Sequence, residues 1–472
     1  MQTDRISNRQ GAEPSVRKRG HAGWMLASCV AISVVLCYGQ ISNSKAVIGL
    51  CLLAFLGVVV LACRKNAVLA VLLYFLPWSP LLRLDNTSFS FFTIALLLVC
   101  LLYCVKSRLS FNTYQSVLAF FLVLLTVTAK LLQGNPIQNN YLAFVLMLFL
   151  LPGVVEGGRM GSFKEVTLFF AVGIIAAALI AQQTAGLPNI SNYINVHAYL
   201  SVTRRSGFYG DPNFYAAHIT ACMAGIQLLL SREEKRTHQL TLLLVLILLL
   251  YCGMLSASKS FVVVTAGLFL VWVPILLEKG HWSSKFRLLA GVLCAGAVVL
   301  SSSAFEPLFE IIAERFSYSA NISQLTTKRT DLWMDYLNEF AHNIPLTLLG
   351  QGYTSVTLHG WASHNTIIQS VFQFGLLGVP LLTAWVVLTL KDVQRKLGDS
   401  RPKWTYTLLM LVGVVMPWFA LDILFFDEFF LLPIYVVLGS NYAKEPCRRA
   451  AVGEPGGGGA MQNFREAFPA AS

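Results

Sequence analysis

Between residues 240 and 257 the chain reads LTLLLVLILLLYCGMLSA, and stretches of this kind recur along most of its length. Hydrocarbon offers no water to a peptide N–H or C=O, so a segment this apolar crosses a bilayer only as a helix or within a closed barrel. A barrel strand would show as roughly ten residues of alternating polarity. These runs instead approach about twenty residues without alternation, the length a helix needs to span about 30 Å of lipid. Composition agrees, with 56% of 472 residues hydrophobic and only 12% charged. The expected fold is an all-α polytopic transmembrane bundle.

Hydropathy predicts about fourteen spans, near 22–40, 46–63, 66–80, 89–105, 113–129, 139–155, 165–182, 212–230, 239–257, 260–277, 288–304, 365–390, 404–421 and 424–441. Pro77, Pro80 and Pro433 weaken the third and the last. Lys and Arg near span ends are retained on the cytoplasmic side, which places Arg17, Lys18, Arg19 and hence the N-terminus inside, and the C-terminus with it. Only nine of the 35 lysines and arginines then fall outside, so topology accounts for the net charge of +12 and no nucleic acid is implied. The expected organisation is a cytoplasmic tail over 1–21 and a bundle over 22–304 with an outer loop at 184–210. A large outer loop over 305–363, further spans over 364–441 and a glycine-rich disordered tail over 442–472 complete it. The polar, basic N-terminus does not read as a removed signal peptide, so the first span is expected to stay. All ten cysteines lie in expected spans or the tail, which implies neither a disulfide framework nor a metal site.

Charge is scarce outside, so its clusters ask for a reason. In TRRSGFYGDPNFYAAH, 203–218, Arg204 and Arg205 precede an Asp211-Pro212-Asn213 turn that reads as a helix start, with Asp as cap and Pro at the first position. Snorkelling to lipid headgroups is the plain account of such arginines. A guanidinium fork also matches a phosphate, and a helix N-terminus near Pro212 would add its dipole to such a site. In LSASKSF, 255–261, Lys259 sits in a short outer connection, and in KRTDLW, 328–333, Arg329 precedes a helix. An interfacial lysine and a solvated arginine paired to Asp331 are the plain accounts of these two, but four basic residues from three outer segments point to a convergent anion site.

The large loop carries two amphipathic patterns, one with Phe305, Leu308, Phe309, Ile312 and Phe316 opposite Glu306, Glu310 and Glu314. The second has Leu332, Trp333, Tyr336, Leu337 and Phe340 after Thr330, an expected N-cap. Gly350, Gly352 and Gly360 then predict a flexible turn. In SHNTIIQSVFQFGLLG, 363–378, Asn365, Gln369 and Gln373 form a polar stripe that should face the bundle interior or a wet cavity, with His364 at its outer end. A lone histidine is most often structural, yet it is the side chain best tuned to take a proton from a hydroxyl near neutral pH. His197, His218, His342 and His359 read as structural, and Asp422, Asp427 and Glu428 as a solvated acidic loop. Tyr193, Tyr199, Tyr209, Tyr353 and Trp361 suit either an interfacial belt or stacking on sugars.

The ordered set Arg204-x-x-Gly207-x-x-x-Asp211-Pro212-Asn213, Ser256-x-Ser258-Lys259, Arg329-Thr330-x-x-Trp333 and His364-Asn365, followed by Gly375-x-x-Gly378, resembles the O-antigen ligase and O-antigen polymerase superfamily. The motifs cover roughly 200–390, and the polytopic frame covers the whole chain. The resemblance implies a GT-C-like bundle and a metal-independent inverting glycosyltransferase without a cofactor. Its implied partners are an undecaprenyl-diphosphate-linked glycan donor, a glycan acceptor, the bilayer of a bacterial cytoplasmic membrane, a flippase and a chain-length regulator. It further implies that Arg204 and Arg329 hold the donor diphosphate and that His364 is the base. Arg205, Lys259, Asp211, Asn213, Asn365 and Trp333 would bind substrate, and the family usually carries an apolar residue where Arg205 stands. A polymerase of repeat units for an exopolysaccharide, capsule or O-antigen is the expectation; a ligase acting on lipid A core, or a non-catalytic transporter of lipid-linked sugars, are the alternatives. Under the expected orientation an alkaline phosphatase reporter fused after Gly360 is active and one fused after Lys65 is silent; the reverse pattern would invert the topology.

Overall fold

The computed structural model describes residues 19–85, 89–106, 112–157, 161–278 apart from 192, 195–196 and 200–201, short pieces between 290 and 303, 305–317, 323, 326–397 apart from 355, and 402–442. The two expected tails and most of the expected span 288–304 lie outside these residues. Helices dominate the rest. The first ten are α1 (Arg19–Ile41), α2 (Lys45–Lys65), α3 (Val68–Phe75), α4 (Phe91–Lys106), α5 (Thr113–Gln133), α6 (Asn139–Gly157), α7 (Phe163–Thr184), α8 (Pro212–Arg232), α9 (Arg236–Leu255) and α10 (Lys259–Leu277). There follow three helices of the expected outer loop, α11 (Glu306–Ser317), α12 (Arg329–His342) and α13 (Ile344–Leu349), and then α14 (Thr366–Leu397), α15 (Trp404–Val414) and α16 (Glu428–Asn441).

Among the described residues eight helices are long and apolar enough to cross a membrane, which makes this a helical polytopic membrane protein but leaves the count below the fourteen spans expected. Five shorter apolar helices coincide with other expected spans. Proline explains two of the shortfalls, because it lacks the N–H that continues an α-helix. After α3 the chain tightens into a 3-10 turn over Leu76–Leu81 that holds Pro77 and Pro80, and after α15 another spans Met416–Ala420 with Pro417.

At the centre stands α8, 94% of whose apolar window is buried inside the protein, against α7, α9, α10 and α15. Its start follows the sequence closely: Pro212 is the first helical residue, and Asp211 caps it by accepting from the Asn213 N–H at 2.6 Å. Preceding it, the outer segment 184–210 holds a small antiparallel hairpin, β1 (His197–Tyr199) with β2 (Val202–Arg204), where only a loop was expected. Both amphipathic patterns form helices, α11 and α12. The expected N-cap at Thr330 is displaced, however: α12 begins at Arg329 after a left-handed Lys328, and the Thr330 N–H is met by Thr326 Oγ1.

The expected flexible turn after α13 is instead a bonded insertion. Helix α14 breaks at Gly375, whose φ of 63° is left-handed and interrupts the helical bonding pattern. The carbonyls of Phe372 and Gln373 thereby become available to the N–H groups of Gln351, Gly352 and Tyr353. A Cβ on Gly375 would stand 2.2 Å from Leu348 O, and one on Gly352 2.4 Å from Thr126 O, so both positions exclude a side chain. The polar stripe faces this insertion and not a wet cavity: Gln373 and Gln369 are fully buried and accept from the N–H groups of Thr354 and Ser363. Gly375→Ala is expected to destabilise the protein by about 2–3 kcal/mol through strain and displacement of α13, read as a lower thermal midpoint in detergent; an unchanged midpoint would mean that the break is dispensable.

Candidate functional site

At the N-terminal end of α8 lies a cavity of about 710 Å³, lined by Arg204 and the Asp211–Asn213 turn and by Thr327–Arg329 and His364. Of the four basic residues expected to converge, Arg204 and Arg329 meet here together with His364, while Arg205 and Lys259 do not line the cavity. Arg204 is held firmly: its Nε–H donates to Ser256 O at 3.0 Å and one Nη to Asn213 Oδ1 at 2.9 Å. Asn213 Oδ1 also accepts from Ser258 Oγ at 2.9 Å, which ties β2, the start of α8 and the α9–α10 connection into one knot. The guanidinium plane is thus set, and among the described residues its other Nη is not engaged by these two bonds.

Arg315 is the member that the sequence reading did not select. It is buried on α11 and donates to Ala257 O at 2.6 Å, one residue beyond the carbonyl that Arg204 holds. Two arginines thus grip the exit of α9, where a helix C-terminus presents its negative end. The signal was present: Leu308, Ile312 and Arg315 fall on one helical face, so a cation interrupts an apolar stripe. Burial lowers the pKa of both Arg204 and Arg329, with Arg315 contributing to each, while Asp211 pulls both the other way. An arginine stays protonated through such shifts, so the cavity keeps concentrated, partly dehydrated positive charge. Asp331 and Asp335 line the same cavity but are exposed, where solvent screens them.

His364 faces this charge from the mouth of α14, with a left-handed φ of 50°. A non-glycine residue held there costs about 1–3 kcal/mol and persists only where its surroundings over-determine it. Asp422 supplies much of that constraint. Its Oδ1 accepts from Ser363 Oγ at 3.0 Å and from the Asn365 N–H at 2.9 Å, flanking the histidine on both sides, while Trp333 Nε1 donates to Ser363 O at 2.9 Å. Asp422 Oδ2 lies 3.6 Å from His364 Nδ1, beyond hydrogen-bond length, as contacts of this kind often are before substrate binds. Burial pulls His364 below its ordinary pKa and raises Asp422, so the neutral imidazole, a proton acceptor, prevails.

Of the expected acidic loop, Asp422 at 5% and Glu428 at 1% exposed are not solvated, whereas Asp427 is half-buried. Asp211 and Asn213 line the cavity as well as capping α8. Asn365 and Trp333 stand behind it, Asn365 capping α14 by accepting from the Ile367 and Ile368 N–H groups at 3.0 and 3.2 Å. Arg205 turns into a separate space of about 90 Å³ beside Tyr215. Lys259 opens α10 with its ammonium 5.7 Å from the Phe316 ring centroid, outside the cavity lining. Among the described residues no group of three His, Cys, Asp or Glu side chains converges as a metal site.

No family model, curated protein or solved structure matches this chain significantly. In protein labelled at histidine, the His364 resonance should titrate below its ordinary 6.5. Asp422→Asn should move that midpoint lower still, by removing the charge that favours the imidazolium, and Arg329→Gln should raise it. A midpoint unmoved by either substitution would mean that these groups do not share one site.

Proposed function

We propose that the protein is a GT-C-like membrane glycosyltransferase of about fourteen spans that polymerises undecaprenyl-diphosphate-linked oligosaccharide repeat units on the outer face of a bacterial cytoplasmic membrane. One juxtaposition carries the reading: Arg204 and Arg329 line the same 710 Å³ cavity as His364, which Asp422 backs at 3.6 Å. The order of motifs that resembles the O-antigen polymerase and ligase superfamily supplies the substrate class.

The chemistry follows from what each group can do. The donor diphosphate, as a dianion or more, is drawn to the two arginines, whose forks suit phosphate oxygens. With Nδ1 directed at Asp422, the His364 Nε2 lone pair serves as the base, in the manner of a carboxylate-oriented imidazole. An acceptor hydroxyl attacks the anomeric carbon and its proton passes to Nε2. A new C–O bond forms there while the C–O bond to phosphate breaks, the electron pair leaves with the diphosphate, and configuration inverts. Negative charge growing on the leaving oxygen is met by guanidinium groups already in place, the largest kind of electrostatic contribution available to such a site. The arginines thus perform the charge neutralisation that a divalent cation performs in other phosphate-leaving reactions.

Purified protein supplied with lipid-linked repeat units should extend chains with EDTA present. His364→Ala should reduce the rate about 10²–10⁴-fold and Arg329→Ala about 10²–10³-fold. Full chain growth by the histidine variant would remove the base from the mechanism, and loss of activity in EDTA would remove the metal-free route. In cells, disruption of the gene should leave single lipid-linked repeat units; accumulation of long lipid-linked chains would identify a ligase instead. With His364 neutral above its depressed pKa, activity should persist below pH 6.5 and fall only as the imidazole protonates.

A further inference from the structure

A second cavity, of about 640 Å³, opens on the same outer rim and differs in chemistry from the arginine cavity. Its floor carries Asp427 and Glu428 at the start of α16, faced by Thr93 of α4, Tyr209 of the loop before α8, and Arg83. Glu428 is 1% exposed, and its Oε1 accepts from both Tyr209 OH and His218 Nε2, the latter at 2.8 Å. Both contacts fall on that one oxygen, and the second carboxylate oxygen accepts nothing among the described residues. Thr93 Oγ1 donates to Asp427 Oδ2 at 3.0 Å, and Arg83 Nε is buried without an acceptor among the described residues. Polar groups enclosed with unfilled hydrogen-bonding capacity are unfavourable unless a ligand or water completes them.

The two cavities draw on neighbouring positions of the same segments. Tyr209 lines the second and Asp211, two residues on, lines the first; Asp422 backs His364 and Asp427, five residues on, lines the second. Phe214 stacks on Tyr209 at 5.7 Å and meets Phe426 edge-on at 4.6 Å, and Tyr209 and Phe426 line the second cavity. Aromatic walls with carboxylates, a hydroxyl and a guanidinium are the groups that recognise a sugar ring, whose C–H face packs on an arene while its hydroxyls donate to carboxylate oxygens. Charge sorts the substrate parts: carboxylates repel a diphosphate, which the arginines next door attract.

We propose that this second cavity binds a hydroxyl-rich glycan segment. Resting on the transferase reading above, it seats the acceptor, since in-line displacement brings the attacking hydroxyl from the side opposite the departing diphosphate.

The test uses the full chain in nanodiscs and oligosaccharides of one to four repeat units, released by mild acid from the producing cell's surface polysaccharide. Saturation-transfer NMR should detect their binding to the unaltered protein. Asp427→Ala should weaken it at least about tenfold, and Arg204→Ala should leave it within about twofold. Because Asp427 lies in a buried network, Ala143→Trp, which fills the cavity from a half-buried position on α6 and leaves the Glu428 contacts in place, gives a second variant with the same expected loss. In chain extension both variants should raise KM for added oligosaccharide while the apparent affinity for the lipid-linked donor holds. No binding to the unaltered protein, binding indifferent to Ala143→Trp, or binding abolished by Arg204→Ala would overturn the proposal. Glycan binding at this cavity without any transfer would instead count against the transferase reading alone.

Discussion

Backbone that leaves a helix at the edge of a bilayer must find its hydrogen-bond partners within the protein, and this requirement shapes the whole outer rim. Each break is stitched by buried or half-buried polar side chains. Asn213 and Arg204 secure the exit of α9, Gln369 and Gln373 receive the insertion that follows α13, and Asp422 with Thr366 joins the start of α14 to the segment before α16. Those same stitches hold the side chains that line the two cavities. Structural and functional demands thus fall on one set of residues, and a polar group here both closes the fold and shapes a site.

Electrostatics gives the rim its division of labour. Arg315 and Arg329 both act against the charge of Arg204, and Arg315 against that of Arg329, where burial weakens screening, so positive charge is concentrated at the first cavity. At the second Glu428 and Asp427 sit together. Asp427 is half-buried, and desolvation, with Glu428 beside it, pushes its carboxyl up to about 7. Such a group can present either a donor or an acceptor to a hydroxyl near neutral pH. Opposite charges in the two cavities suit a substrate with an anionic end and a neutral, hydroxylated end.

Much of this was legible in the chain. Apolar run length specified membrane helices, Asp211-Pro212 marked the start of α8 to the residue, and both amphipathic outer helices followed from their periodicity. The misreadings share a cause. Asp422 and Glu428 looked solvated because they sit in a short polar connection, yet the loop folds inward and their partners, His364 and His218, lie 58 and 210 positions away. Gly350 and Gly352 looked like a hinge, although their purpose is close approach to a broken helix whose break is visible only in three dimensions. Arg315 was hidden because a helix face shows its cation but not the carbonyl it will meet.

The sequence by itself determined the class of the molecule, since lipid admits few backbone solutions and the alternation of apolar and basic segments declares where they lie. It also named Arg204, Arg329 and His364, because charge beside lipid is costly enough to stand out. Only the tertiary structure decided which of two adjacent arginines turns to the cavity, that a carboxylate from a distant connection backs the histidine, and that a second cavity draws on neighbouring positions of the same segments. Those outcomes depend on which way side chains point and on contacts between segments from about fifty to about two hundred residues apart, and local pattern carries no record of either.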